Sequence, residues 1–210
     1  MYLKSTNFDL KGSYLSWSLA SAPKGMKDRY GIEKFPEAHV SDSLVYGYNR
    51  AKLSWYSIDP IFQNPGGGNP LSTALQQSTA NNMYTKQYYE QDVFRNRQNA
   101  TITNPPLYTL DLSYFPNEKG PYNFETTPTP YSKGVNATGK LNNPETRWGG
   151  IMRSIDGTTD FEAANVEFIQ FWVLDPFKYP GANRQGNLYI QLGNVSEDIL
   201  RDSRMQFENG

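Results

Sequence analysis

The chain has 210 residues and no cysteine, and its 20 Lys+Arg against 21 Asp+Glu leave a formal net charge of -1. That balance supplies no basic field to gather nucleic acid or anionic lipid, and the missing thiols exclude disulfide scaffolds, thiolate nucleophiles and zinc-thiolate sites. Aromatic residues at 14%, together with 17 Gly and 14 Pro, favour strands joined by many turns, and the length suits one domain over 1–210 with a single core.

In chain order, Leu15, Trp17 and Leu19 alternate with Tyr14, Ser16, Ser18 and Ala20, the period of two that a half-buried strand over 14–20 shows. Residues 21–46 read as loop with short extended pieces. A second strand is expected over 51–58, with Leu53 and Trp55 on one face, and Asp59-Pro60 ends it because proline cannot donate to a ladder. Asn64-Pro65-Gly66-Gly67-Gly68-Asn69-Pro70 is the strongest punctuation in the chain, and 61–80 reads as a surface loop. The pattern over 81–95 predicts a modest amphipathic helix capped by Asn81 or Asn82.

Leu110, Leu112 and Tyr114 predict a third strand, closed by a turn at Pro116. Residues 125–142 are rich in Thr, Pro, Gly and Asn and read as a second, mobile surface loop. Three further strands are expected over 148–154, 165–175 and 187–193. The middle one is apolar on both faces and so belongs at the centre of a sheet. Ser196 followed by Glu197-Asp198 predicts a helix over about 197–207, with carboxylates at its positive end. The sum is a mostly β chain, a jelly-roll-like β-sandwich with two short helices and long loops.

No stretch reaches the roughly 20 apolar residues a membrane helix needs, and the N-terminus lacks a signal-peptide pattern, so the piece is expected to be soluble. The single histidine, His39, has no nucleophile elbow around it and reads as a surface or turn residue. Asp160, Glu162 and Glu167 are the candidates for a paired-carboxylate site. Glu162 and Glu167 differ by an odd number, however, and would face opposite sides of one strand. Asp156-Gly157-Thr158-Thr159-Asp160 loosely resembles a loop that ligates calcium (Ca2+) through hard oxygens, with Asp156 and Asp160 as ligands, although the full EF-hand spacing is absent. Trp17, Trp55, Trp148 and Trp172 sit in alternating or continuous apolar runs and are expected in the core. Tyr56, Tyr122 and Tyr131 lie in phases or loops that reach solvent and are the better platforms for stacking on a sugar face. Three Asn-x-Ser/Thr sequons, at Asn99, Asn136 and Asn194, carry meaning only in a host with the glycosyl transferase.

Three ordered blocks carry a resemblance. They are residues 47–60, from Gly47-Tyr48-Asn49-Arg50 onward; residues 110–124, through Tyr122-Asn123-Phe124; and Asn143-Pro144-Glu145-Thr146-Arg147-Trp148-Gly149-Gly150-Ile151-Met152-Arg153 with its continuation to Asp202. Together they cover most of 44–210, and they resemble the SprA/Sov family, the giant outer-membrane translocon of type IX secretion and gliding motility in Bacteroidetes. Members are thousands of residues long and form a very large transmembrane β-barrel. The resemblance therefore implies an excised fragment, a non-catalytic structural domain that is outer-membrane-associated, periplasmic or at the cell surface. Its implied partners are other parts of the parent translocon and secretion-system proteins. The alternative expectation is a carbohydrate-binding-module-like domain that binds glycan or mediates adhesion.

Overall fold

The computed structural model describes residues 9–66, 68–96, 104–155, 160, 162–163, 166–178, 185–193 and 198–199. Their regular elements are β1 (Ser18–Leu19), β2 (Ala51–Tyr56), α1 (Thr73–Asn81), α2 (Glu90–Val93), β3 (Asp111–Lys119) and β4 (Ile151–Met152), with short 3-10 turns between them. The strands form two two-stranded sheets, β1 with β4 and β2 with β3, so the fold is small, mostly β and built from short strand pairs. Where one domain was expected, the chain divides into two compact units. Met1–Ser54, Leu112–Val166 and Gly186–Gly210 make the first; Trp55–Asp111 and Glu167–Gln185 make the second.

In the first unit, β1 pairs antiparallel with β4, Ser18 opposite Met152 and Leu19 opposite Ile151. The strand expected over 14–20 shrinks to those two residues. Ser13 Oγ accepts from Leu15 N–H at 3.3 Å and caps a 3-10 turn over Tyr14–Ser16, which leaves Leu15 77% exposed. A serine hydroxyl offers the backbone a local bond that competes with a ladder. Downstream, the chain from Trp148 to Met152 serves both sheets. Trp148 bridges in parallel to Arg50, Ala51 N–H donates to Trp148 O at 2.7 Å, and Ala20 N–H donates to Gly150 O at 3.0 Å. Close approach at Gly149 and Gly150 makes this possible, because a Cβ on Gly149 would lie 2.9 Å from Leu53 Cβ and one on Gly150 3.2 Å from Ala20 Cβ.

The strand expected over 51–58 is present over Ala51–Tyr56, two residues shorter, and Asp59 then caps a 3-10 turn over Pro60–Phe62. β3 corrects the expected turn at Pro116, since it runs through that proline to Lys119. Both strands of a two-stranded sheet are edge strands, the setting in which a sheet tolerates proline. Lys52 Nζ meets Glu118 Oε2 at 3.0 Å across the pair.

Residues 21–46, read as loop, supply the buried residues of this unit's apolar cluster, Ala22, Phe35, Ala38 and Tyr46, with Met26, Val40 and Trp148 packed against them. Phe35 meets the Trp148 ring edge-on, 5.7 Å between centroids, and Tyr46 Oη accepts from Ala22 N–H at 2.6 Å. Two 3-10 turns, Pro36–His39 and Leu44–Gly47, position these side chains, which is why no two- or 3.6-residue period advertised them.

The segment 125–142 is also corrected. Glu125, Ser132 and Leu141 are buried, and an antiparallel bridge joins Val135 to Leu141. Asn136 Oδ1 accepts from Thr138 N–H and Lys140 N–H, each at 3.0 Å, and thereby forms the tip of this hairpin.

In the second unit, 61–80 is not loop throughout, because α1 occupies its second half. Ser72 Oγ caps that helix by accepting from Leu75 N–H, and Gln76, its one buried residue, donates to Leu71 O at 2.6 Å and accepts from Gly66 N–H at 3.1 Å. The asparagines expected to start a helix instead finish one. Asn82 is the C-cap of α1 and its side chain accepts from Tyr84 N–H at 2.9 Å, a turn role that asparagine fills as readily as an N-cap. Only Glu90–Val93 of the predicted 81–95 helix is helical afterwards.

Among the described residues, neither 166–175 nor 187–193 forms a paired strand. Trp172 is 65% exposed, contrary to its expected core position, whereas Trp17, Trp55 and Trp148 are half-buried. A run apolar on both faces needs a partner on each edge, and these residues have none among the described ones. The helix expected over 197–207 falls, apart from 198 and 199, outside the described residues. Among the described residues, no helix is long and apolar enough to cross a membrane.

The tightest backbone contact is at Gly120, where an added Cβ would strike the Ala51 carbonyl. Gly120→Ala is therefore expected to destabilise the chain by about 1–3 kcal/mol, read as a lower urea midpoint. The same substitution at Gly139, where a Cβ meets nothing within 4 Å but φ is +77°, should cost about 1 kcal/mol.

Candidate functional site

Among the described residues, the largest fully buried side chains of the first unit include, beside Tyr46, the charged and polar Arg50, Glu37, Glu125 and Ser132. Arg147 and Glu125 form an ion pair of 2.7 Å, Nη1 to Oε2, with both side chains fully buried. Burying two charges is costly unless every remaining donor and acceptor is used, and here they are satisfied locally. Arg147 Nη1 also donates to Tyr48 O at 3.0 Å, Nη2 to Gly134 O at 3.0 Å and Nε to Asn142 O at 2.9 Å. Glu125 Oε1 accepts from Gly134 N–H, and Lys119 Nζ donates to the Glu125 carbonyl. Gly134 fills its place because its φ is +73° and a Cβ would lie 2.9 Å from Pro128 Cδ.

Asn123 extends this network. Its Nδ2 donates to Tyr48 O at 2.8 Å and Arg50 O at 2.6 Å, and its Oδ1 accepts from Glu125 N–H at 3.1 Å. Tyr114 Oη donates to Arg147 O at 2.7 Å; burial pushes that phenol up to about 12, with the nearby Arg147 opposing the shift. Arg147 thus clamps carbonyls at 48, 134 and 142 and the carboxylate of 125, joining segments distant in sequence.

A second buried carboxyl lies beside this junction. Glu37 Oε1 accepts from Trp148 Nε1 at 2.8 Å and Asn49 Nδ2 at 3.2 Å, while Glu37 Oε2 and Asn49 Oδ1 are buried with no hydrogen-bond partner among the described residues. Burial raises the Glu37 pKa above 4.5, against the bonds from its own backbone, Trp148 and Asn49, which lower it. Arg50 is fully buried, donates to Ala20 O at 3.3 Å and lies with its guanidinium carbon 5.1 Å from the Trp148 ring centroid. Chemically the arrangement holds chain segments together: the Arg147–Glu125 pair spends its hydrogen-bonding capacity inside the protein.

The residues singled out from sequence do not converge here. Tyr122 and Tyr131 belong to the first unit and Tyr56 to the second; all three are half-buried rather than freely exposed. Tyr122 sits at φ +60°, and a Cβ on Gly47 would lie 2.6 Å from its carbonyl oxygen, so its backbone is pressed into the junction. Asp156 lies outside the described residues. Asp160 is exposed and accepts from Ala163 N–H at 2.9 Å, the local turn bond that competes with a ligand role. Among the described residues, no three His, Asp or Glu side chains gather in a metal-holding group. Glu162 and Glu167 are exposed, and His39 Nε2 lies 2.7 Å from Glu33 Oε1 on the surface. Sequence patterns assign Glu37, Asn123 and Glu125 no site role, since nothing in their spacing ties them to Arg147 or Trp148.

Two outcomes follow from this geometry. Arg147→Met strands the Glu125 carboxylate in the interior and should destabilise the chain by about 3–5 kcal/mol, measured by urea unfolding. The double variant Arg147→Met/Glu125→Leu should recover part of that loss. Glu37 has a folded pKa above its unfolded value, so its contribution is complete below about pH 4.5 and is lost as pH rises through the folded pKa. Glu37→Gln, which cannot ionise, should therefore gain in urea midpoint relative to the parent chain as pH is taken from 4 to 8; a difference that stays constant with pH would contradict the assignment. No protein-family model matches the chain, and comparison with curated proteins finds no relative for it.

Proposed function

We propose that the chain is a non-catalytic structural domain of a type IX secretion and gliding-motility translocon, associated with the outer membrane on its periplasmic or cell-surface side. The observation that carries the reading is where the resemblance blocks meet. Tyr48, Asn49 and Arg50 come from the first block, Asn123 from the second and Arg147 and Trp148 from the third, and they bond to one another in a single buried junction. Residues that recur together in a family for structural reasons are expected to be packing and clamping groups of this kind. On this reading the two short strand pairs are part of a jelly-roll-like β-sandwich, and the partners are neighbouring parts of the translocon and its secretion-system proteins.

The test is genetic and biochemical. Arg147→Met in the full-length protein of a gliding host should abolish adhesin export and colony spreading together, and Arg147→Met/Glu125→Leu should restore both in part. Export and spreading that persist at parental levels with Arg147→Met, despite the loss of stability in the isolated chain, would overturn the proposal. A glycan array with the isolated chain separates this reading from the sugar-binding one: the structural role predicts no binding that Tyr56→Ala, Tyr122→Ala or Tyr131→Ala removes.

A further inference from the structure

The second unit contains a stretch whose chemistry is that of a strand without its sheet. Residues 167–175 run without bend or turn, and among the described residues their backbone groups up to 174 make no hydrogen bond. From Phe168 to Leu174 the sequence Phe-Ile-Gln-Phe-Trp-Val-Leu has no charge, proline or glycine, and it is rich in the aromatic and β-branched residues that suit a pleated sheet. It is nevertheless exposed: Phe168 by 74%, Trp172 by 65% and Val173 by 64%. The run is also held in place. Trp172 meets the Phe94 ring edge-on at 5.5 Å, and Tyr84 Oη donates to Pro176 O at 2.9 Å just beyond its end.

Charge decides what fits on it. With a period of two, Glu167, Ile169, Phe171, Val173 and Asp175 share one face, so that face is apolar in the middle and acidic at both ends. Both carboxylates belong to exposed residues, and neither has an ion-pair partner among the described residues. Asp175 Oδ1 accepts from Phe177 N–H at 2.9 Å, which leaves its other oxygen available. A second copy is a poor occupant. In-register antiparallel pairing places Glu167 opposite Asp175 at both ends, and in-register parallel pairing places each acid opposite itself; like charges directly opposite are destabilising. An anionic membrane surface is disfavoured for the same reason.

We propose that residues 167–175 are a strand-addition site for a partner protein, whose docking strand is apolar in its centre and carries Lys or Arg at both ends, eight residues apart. Main-chain bonds to the unpaired edge supply affinity, and the two acidic ends set register and choose the partner. The inference goes beyond the structural role proposed above and does not depend on which assembly the chain serves.

The experiment uses the whole chain and two labelled nine-residue peptides in which threonine alternates with valine, one ending in lysine at both termini and the other in glutamate. Fluorescence anisotropy should show the lysine peptide binding at least about tenfold more tightly, with amide-exchange protection confined to 167–175. Glu167→Lys/Asp175→Lys should reverse the preference, and Val173→Pro should abolish binding of either peptide, with circular dichroism confirming that both variants remain folded. No binding, equal binding of the two peptides, or an unreversed preference would overturn the proposal. So would sedimentation of the parent chain as a dimer that Val173→Pro dissolves, since the occupant would then be a second copy. None of these outcomes bears on the Arg147 export test, so the two proposals fail separately.

Discussion

The junction of the first unit depends on the buried pair of Arg147 and Glu125, which joins segments around Tyr48, Glu125, Gly134 and Asn142. An ion pair with both side chains at zero exposure is weak as a source of net stability, because desolvating two charges offsets most of their attraction. Its value lies in directionality. A guanidinium presents donors in a fixed planar fork, and here they reach carbonyls at Tyr48, Gly134 and Asn142 as well as the carboxylate. Apolar side chains at the same place would fill volume without specifying which carbonyl meets which donor.

That choice suits the composition around it. The first unit has only a small apolar cluster, centred on Phe35, Ala38 and Tyr46, and its strands β1 and β4 pair over two residues each. Ladders this short cannot hold register alone. The polar junction takes over: Asn123 reads the carbonyls of Tyr48 and Arg50, Arg50 lies over Trp148, and Trp148 donates to Glu37. Each link joins segments distant in the sequence. A network of this kind is intolerant of single losses, because each deletion leaves a buried group unsatisfied.

The second unit follows a different economy. Its described part relies on caps and local turns: Ser72 at the head of α1, Gln76 bridging Gly66 and Leu71, and Thr79 Oγ1 donating to Phe62 O at 2.6 Å. Its most apolar stretch, 168–174, remains largely exposed. A buried polar clamp in one unit and an open, acid-ended apolar run in the other are the features on which the two proposals rest.

Local chemistry was legible in the sequence at some of the positions where neighbours along the chain decide the outcome. Alternation placed β2, and Asp59-Pro60 marked the turn that follows it. The reading went astray where the deciding partner was remote. Pro116 lies inside β3, Asn81 and Asn82 end a helix instead of starting one, and 125–142 packs inward through Glu125, Ser132 and Leu141. No periodicity ties Glu125 to Arg147 or Glu37 to Trp148, because 3-10 turns and irregular segments bring them together. The sequence alone determined the near-neutral charge, the absence of thiol chemistry and the positions of the strongest turns, since those follow from residue type and adjacent residues. Which charges are buried, and which apolar run stays open, only the tertiary structure decided, because burial depends on segments tens of residues away.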